Sequence, residues 1–240
     1  MINEFWISYK NKTSIEKMAI DSVNRAIKFL FQNIPQNKIV SIYIKGTFVT
    51  REMNEKSDVD IVPIVKDNKT LKKLQSVRNV KKEMLKPSEL LPISLTELKN
   101  NKNAKHRGPL KGRPDTFLRD LEYYKLVYGK KLNKATYPMR KPEEMFKDEI
   151  KTLKNQTILL HKKGEYGFSQ LIKQVFWIVF HEQKSLGKFP PRTWKGLNNF
   201  IKEKKHIIHK AYYFRIHPTK DKRKRAGFVS ALETYLETFN

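Results

Sequence analysis

The sequence predicts an α+β protein: a mixed sheet flanked by helices over residues 1–135, followed by a helical bundle over residues 136–240. Three observations predict it. Two β-branched segments, 39–45 and 59–65, stand among helix-periodic stretches in the first half. From about Lys141 onward every periodic stretch is helical. The 240 residues, 39% hydrophobic and including 14 Phe, suffice for one large core or two small ones.

Thr13 with Glu16 three residues on forms a capping box, and Ile15, Met18, Ala19, Ile27, Leu30 and Phe31 recur at helical spacing, so residues 13–33 read as a helix. Pro35 prevents its continuation. Residues 39–45 read as a strand with Val40, Ile42 and Ile44 on one face, ended by Gly46. A polar stretch leads to a second strand over 59–65, where Pro63 argues for an edge position or a bulge. Leu71, Leu74, Val77, Val80 and Met84 place a helix over 69–85, and residues 89–95 read as a third short strand before a Ser or Thr cap and Glu97. Residues 100–114 are basic, aperiodic and interrupted by Gly and Pro, the pattern of a loop. A helix is expected over 115–128, ended by Gly129. Four more follow near 143–163, 168–186, 192–204 and 226–239, separated by Gly164, Gly187, Pro190-Pro191 and Pro218.

Charge narrows the choice of partner. Fifty Lys and Arg against 24 Asp and Glu give a formal +26, more than solubility requires, and point to a polyanion. No apolar run reaches the roughly 18 to 20 residues that span a bilayer, and the N-terminus has no basic segment leading into an apolar one. A cytoplasmic protein without a membrane segment is expected. The absence of Cys excludes disulfides and thiolate metal sites.

One constellation names a chemistry. Gly46-Thr47 ends the first expected strand, and after ten residues Asp58-Val59-Asp60 opens the second. A glycine there lets the backbone turn sharply against phosphate oxygens, while Thr47 offers a hydroxyl and an N–H. Asp58 and Asp60, two apart on a strand, share a face, with Val59 and Ile61 on the other. Paired carboxylates hold hard divalent cations, and two such ions roughly 3.5 to 4 Å apart serve in-line displacement at phosphorus. Neither pair is specific alone. Together, between two strands, they are.

With its flanks, Ser41-Ile-Tyr-Ile-Lys-Gly-Thr-Phe and Ser57-Asp-Val-Asp-Ile-Val-Pro-Ile, this constellation resembles the polymerase-β-type nucleotidyltransferase superfamily: Gly-Ser or Gly-Thr at a strand end, about ten residues, then Asp-x-Asp. The detailed similarity covers residues 38–66, with a weaker echo at Tyr128-Gly129-Lys130-Lys131-Leu132. The resemblance implies a catalytic domain over 1–135 that binds an NTP, ATP first, through Gly46, Thr47 and Ser57, and Mg²⁺ (two ions, or Mn²⁺) through Asp58, Asp60 and a third carboxylate. Glu89 is the candidate for that third ligand, with Glu97 as the fallback. The implied reaction carries a nucleoside monophosphate to an acceptor hydroxyl and releases pyrophosphate.

Such enzymes modify RNA ends, proteins and aminoglycosides. A +26 chain repels polycationic antibiotics and attracts RNA, so an RNA acceptor such as a tRNA 3′ end is expected, held by a basic helical domain. Lys105, Arg107, Lys111 and Arg113 in the loop, and Lys222, Arg223, Lys224 and Arg225 near the C-terminus, are the candidate contacts. Transfer to a protein or a small molecule, or a catalytically weak nucleotide-binding, antitoxin-like module, are the alternatives.

Three further features have plainer readings. His206 and His209 lack a third metal ligand and read as surface or nucleic-acid-contacting residues. Tyr212-Tyr213-Phe214, between Lys210 and Arg215, fits either base stacking or a helix core. Phe176, Trp177, Val179 and Phe180 read as bundle core.

Overall fold

A computed structural model describes residues 2–55, 57–104 and 112–239. The chain divides into two compact units, Met1–Met139 and Arg140–Asn240.

In the first unit the order is α1 (Ser14–Asn33), β1 (Ile39–Lys45), α2 (Thr47–Thr50), β2 (Val59–Val65), α3 (Asn68–Leu85), β3 (Ser88–Leu90), β4 (Ile93–Ser94), α4 (Leu95–Asn100), α5 (Asp115–Arg119) and β5 (Lys125–Gly129). The sheet runs β3-β2-β1-β5, with β4 also paired to β2. It is mixed: β1 is antiparallel to β2 and β5, while β3 and β4 run parallel to β2. One face, with Ile42, Ile44, Val59, Ile61 and Val65, shares a core with Val23, Ile27 and Leu30 of α1 and Leu71 and Leu74 of α3. The other, with Tyr43, Val62 and Ile64, packs with Leu98, Phe117, Leu118, Leu121 and Leu132.

Thr13 and Glu16 make the capping box of α1, and the α+β class is as the sequence predicts. Several elements depart from the sequence reading. Residues 125–129 form a strand, not the end of a helix: α5 stops at Arg119, and Tyr124 is already extended. There the chain gains ladder bonds to β1, and Asn3 donates its N–H to the Val127 carbonyl (2.7 Å). Val40 does not share the face of Ile42 and Ile44, because an irregularity between Ile39 and Ser41 shifts the β1–β2 register and turns Val40 to the opposite core.

Pro63 sits in a central strand rather than at an edge. Val59 donates to Pro87 and Ile61 accepts from Leu91 on the β3 side, so the period of two directs the Pro63 nitrogen to that side as well. That position lies between the residues of β2 that pair with β3 (Val59–Ile61) and with β4 (Ile64 and Val65), so the missing N–H falls in the gap between the two ladders. The single strand expected over 89–95 is accordingly split in two.

The second unit comprises α6 (Pro142–Thr152), a π-helical stretch (Leu153–Thr157), α7 (Ile158–Lys162), α8 (Phe168–Ser185), α9 (Trp194–Phe200), α10 (Ile207–Ile216) and α11 (Lys222–Glu237). Its core centres on α8, which packs on α6 and α10 through residues including Leu171, Val175, Phe176 and Val179. The expected helix over 192–204 is shorter, because Ile201 is extended. The helix expected from 226 starts four residues earlier, because Asp221 caps it through the N–H groups of Arg223 and Lys224. No helix among the described residues is long and apolar enough to cross a membrane.

Candidate active site: three carboxylates beside a glycine turn

Strand register assembles the site. Lys45, the last residue of β1, lies opposite Asp60, and Asp60 lies beside Glu89 of β3. Val59 and Ile61 are fully buried on the core face, which leaves Asp60 on the other face with Asp58 two positions before it. Oxygens of Asp58, Asp60 and Glu89 all lie within 4.8 Å of one another. Asp58 is exposed, and the other two are half-buried.

Gly46 has φ 85°, a conformation that strains any residue with a Cβ, and a Cβ built there would stand 3.7 Å from Asp60 Oδ2. The glycine therefore places the turn directly beside the carboxylates. Its carbonyl accepts from Val49 (3.0 Å) and Thr50 (3.4 Å), starting α2 and leaving the N–H groups of Thr47 and Phe48 at the head of the turn without an acceptor inside it. Ser57 belongs to the turn that leads into β2, where its hydroxyl accepts from Asn54 N–H (2.9 Å).

A layer beneath holds this turn still. Phe48 is fully buried among Phe5, Trp6 and Tyr9, and the Tyr9 hydroxyl donates to the Phe48 carbonyl (2.9 Å). Arg51, left-handed at φ 60°, closes α2 and forms a two-pronged ion pair with Glu16 of α1 (2.7 and 3.1 Å). The guanidinium's hydrogen bonds hold the Glu16 pKa down to about 2, against desolvation that acts the other way.

Lys45 is the residue that sequence reasoning passed over. Its ammonium lies 3.3 Å from Asp60 Oδ2. Burial, the largest influence, favours the neutral amine, but Asp60, then Tyr124 and Asp120, together outweigh it and leave its pKa above the ordinary lysine value. The signal was its place one residue before Gly46, on the same strand face as Asp60 once the two strands pair.

Glu97 is elsewhere. It caps α4, accepting from Ser94 N–H (3.0 Å) and Ala104 N–H (2.8 Å), and is fully buried; a carboxylate tied to two backbone donors is not the third ligand. His206 is likewise no surface residue: it is buried, receives the Ile208 N–H at Nδ1 (3.3 Å) and meets Glu182 through Nε2 (3.2 Å). Among the basic candidates, Lys105, Arg107 and Lys111 lie outside the described residues. Arg113 is exposed, Lys222, Arg223 and Lys224 are exposed in the first turn of α11, and Arg225 bonds twice to the Thr219 carbonyl (2.9 and 2.6 Å).

No family model and no curated protein matches the sequence. Among solved structures, the chain is similar to spectinomycin adenyltransferase AAD(9) from Enterococcus faecialis with ATP and spectinomycin, at TM-score 0.56 and 14% identity, over 90% of this chain and 99% of that one. It also aligns with a toxin-antitoxin with AMP-PNP at TM-score 0.28 and 15% identity, over 58% of this chain and 95% of that one, a likeness too slight to argue from. The first likeness establishes a nucleotidyltransferase fold.

Proposed function

We propose that this chain is a metal-dependent nucleotidyltransferase that moves a nucleoside monophosphate from an NTP, ATP first, to an acceptor hydroxyl. The observation that carries the reading is the convergence of Asp58, Asp60 and Glu89 within 4.8 Å beside the Gly46-Thr47 turn. Three carboxylate oxygens with no nitrogen or sulfur among them are the donor set of Mg²⁺ or Mn²⁺. When bound, such ions neutralise charge that builds up on the transferring phosphoryl group and on the leaving pyrophosphate.

The remaining work belongs to the chain. Asp58, Asp60 and Glu89 would hold the ions, Gly46 keeps the turn clear of a Cβ, and Thr47 would donate its hydroxyl and N–H to the terminal phosphates. The acceptor oxygen bonds to the α-phosphorus as the bond from that phosphorus to pyrophosphate breaks, and the hydroxyl proton passes to a carboxylate of the cluster.

Two acceptor readings have support. The formal charge of +26 favours RNA. The fold likeness runs through 99% of a spectinomycin adenyltransferase, helical part included, and favours a small hydroxylated molecule. Incubation with Mg²⁺ and α-labelled or γ-labelled ATP, offered total RNA, an aminocyclitol panel or lysate protein, separates these readings. Label from the α position, and not from the γ position, entering one acceptor class is the expected result. Label entering only from the γ position would make the chain a kinase and overturn the proposal.

A further inference from the structure

The helical unit carries a groove of its own. It has a volume of about 530 Å³ and is lined by His209, Lys210, Tyr213 and Phe214 of α10 and by Lys224, Gly227 and Phe228 of α11. The two helices contribute the same series, a lysine followed three and four residues later by the groove wall: Lys210, Tyr213, Phe214 and Lys224, Gly227, Phe228. Phe228 is buried and meets Phe214 edge-on (5.5 Å between centroids), giving an aromatic floor. Tyr213 stands 52% exposed beside it, and Gly227 leaves the opposite wall open, since a Cβ there would meet nothing within 4 Å. The tyrosine ring is steadied by Phe214 (5.4 Å) and His217 (4.9 Å).

The groove's own lining carries charge of one sign, and Lys210 also borders a neighbouring cavity lined by Glu182 and Glu203. No carboxylate lines it, and Lys210 and Lys224 are exposed and make no ion pair among the described residues. Lys224 continues into Lys222 and Arg223, which are exposed in the first turn of α11, where no acidic side chain accompanies them. The only acid nearby in sequence is Asp221, engaged in capping. Cations at a helix N-terminus oppose the helix dipole, an effect that the Asp221 carboxylate at the cap offsets.

An exposed aromatic ring over an apolar floor, flanked by unpaired lysines, has the two parts that hold single strands: a face on which a base stacks and cations that follow its phosphates. We infer that the α10–α11 groove binds single-stranded nucleic acid, with a base against Tyr213 and phosphates on Lys210, Lys224 and the basic turn. The inference does not depend on the transfer reaction, because it can be tested without NTP or metal.

The test is fluorescence anisotropy of the full chain with labelled RNA and DNA oligonucleotides of roughly 12 nucleotides, over a series of salt concentrations. Tyr213→Ala should weaken binding on the order of 10-fold, while Tyr213→Phe retains it. Lys210→Ala with Lys224→Ala should weaken it and flatten the slope of log K against log salt by roughly 1.4, the loss of two phosphate contacts. Lys17→Ala with Lys28→Ala removes the same charge from exposed positions of α1 and should have little effect. Circular dichroism melting of each variant shows that the fold persists. Tighter binding of RNA than of DNA would support a contact to the 2′-hydroxyl, and equal binding would support stacking and phosphate contacts alone. The inference is overturned if Tyr213→Ala binds as the parent does, if the two lysine pairs lose affinity equally, or if anionic phospholipid vesicles bind the groove while the oligonucleotides do not.

Discussion

Asp60 is fixed by its neighbours as much as by its own strand: Lys45 pairs with it across the ladder, Gly46 leaves room for it, and Glu89 lies beside it in register. The role of Lys45 follows from charge. A unit positive charge 3.3 Å from a carboxylate competes with any cation that the cluster holds. Lys45→Met should therefore tighten Mn²⁺ binding, read by electron paramagnetic resonance of free Mn²⁺, on the order of 10-fold. Unchanged Mn²⁺ affinity would remove Lys45 from the account. At this scale much of the site was legible. Asp58 and Asp60 were nameable from their spacing of two at the start of a strand after Gly46-Thr47, whereas Glu89 was a candidate only because the resemblance calls for a third carboxylate on a later strand. Lys45 was not, since a lysine among 50 cationic residues carries no signal until β1 and β2 are paired. Glu97 shows the converse: its capping box with Ser94 is itself a sequence pattern, and reading it as a cap removes it from the ligand candidates.

Elements were legible where one period dominates. α1 has its cap and period in the sequence, and β1 and β2 their β-branched runs, whereas 125–129 follows directly on a helical segment and becomes a strand only through β1, whose paired residues lie 81 to 88 positions earlier in the chain. Gly129 marks that pairing. It has φ 80°, and a Cβ would stand 2.0 Å from the Val40 carbonyl oxygen. Gly129→Ala should destabilise the first unit by more than about 3 kcal/mol in urea unfolding, whereas Gly164→Ala, which has φ 79° but open space around it, should lose only the smaller backbone term. The support of α2 gives a pH prediction. Glu16 titrates near 2 when folded, against an ordinary 4.5, so the stabilisation that it contributes is complete above about 4.5 and is lost as the pH falls toward 2. Glu16→Gln should lower the thermal midpoint by several degrees at pH 7, and the gap to the parent should close over that acid range. A gap independent of pH would show that the Arg51 pair does not act through charge.

For the whole molecule, charge bears on the acceptor and fold likeness on the architecture. The net charge of +26 belongs to the entire surface and steers any polyanion toward it. The likeness to the spectinomycin adenyltransferase belongs to the backbone, at 14% identity, and carries the fold without the contacts that choose a substrate. The α10–α11 groove is a local feature that could give the charge a specific use. The proposed transfer chemistry rests on the carboxylate cluster and does not depend on which acceptor is taken. The most direct test is the product released from ATP with Mg²⁺ and a mixed pool of RNA, aminocyclitols and lysate, in the parent and in Asp60→Asn. Pyrophosphate from the parent, and at least roughly 100-fold less from Asp60→Asn, is the predicted result; equal release from both, or orthophosphate in place of pyrophosphate, would contradict it.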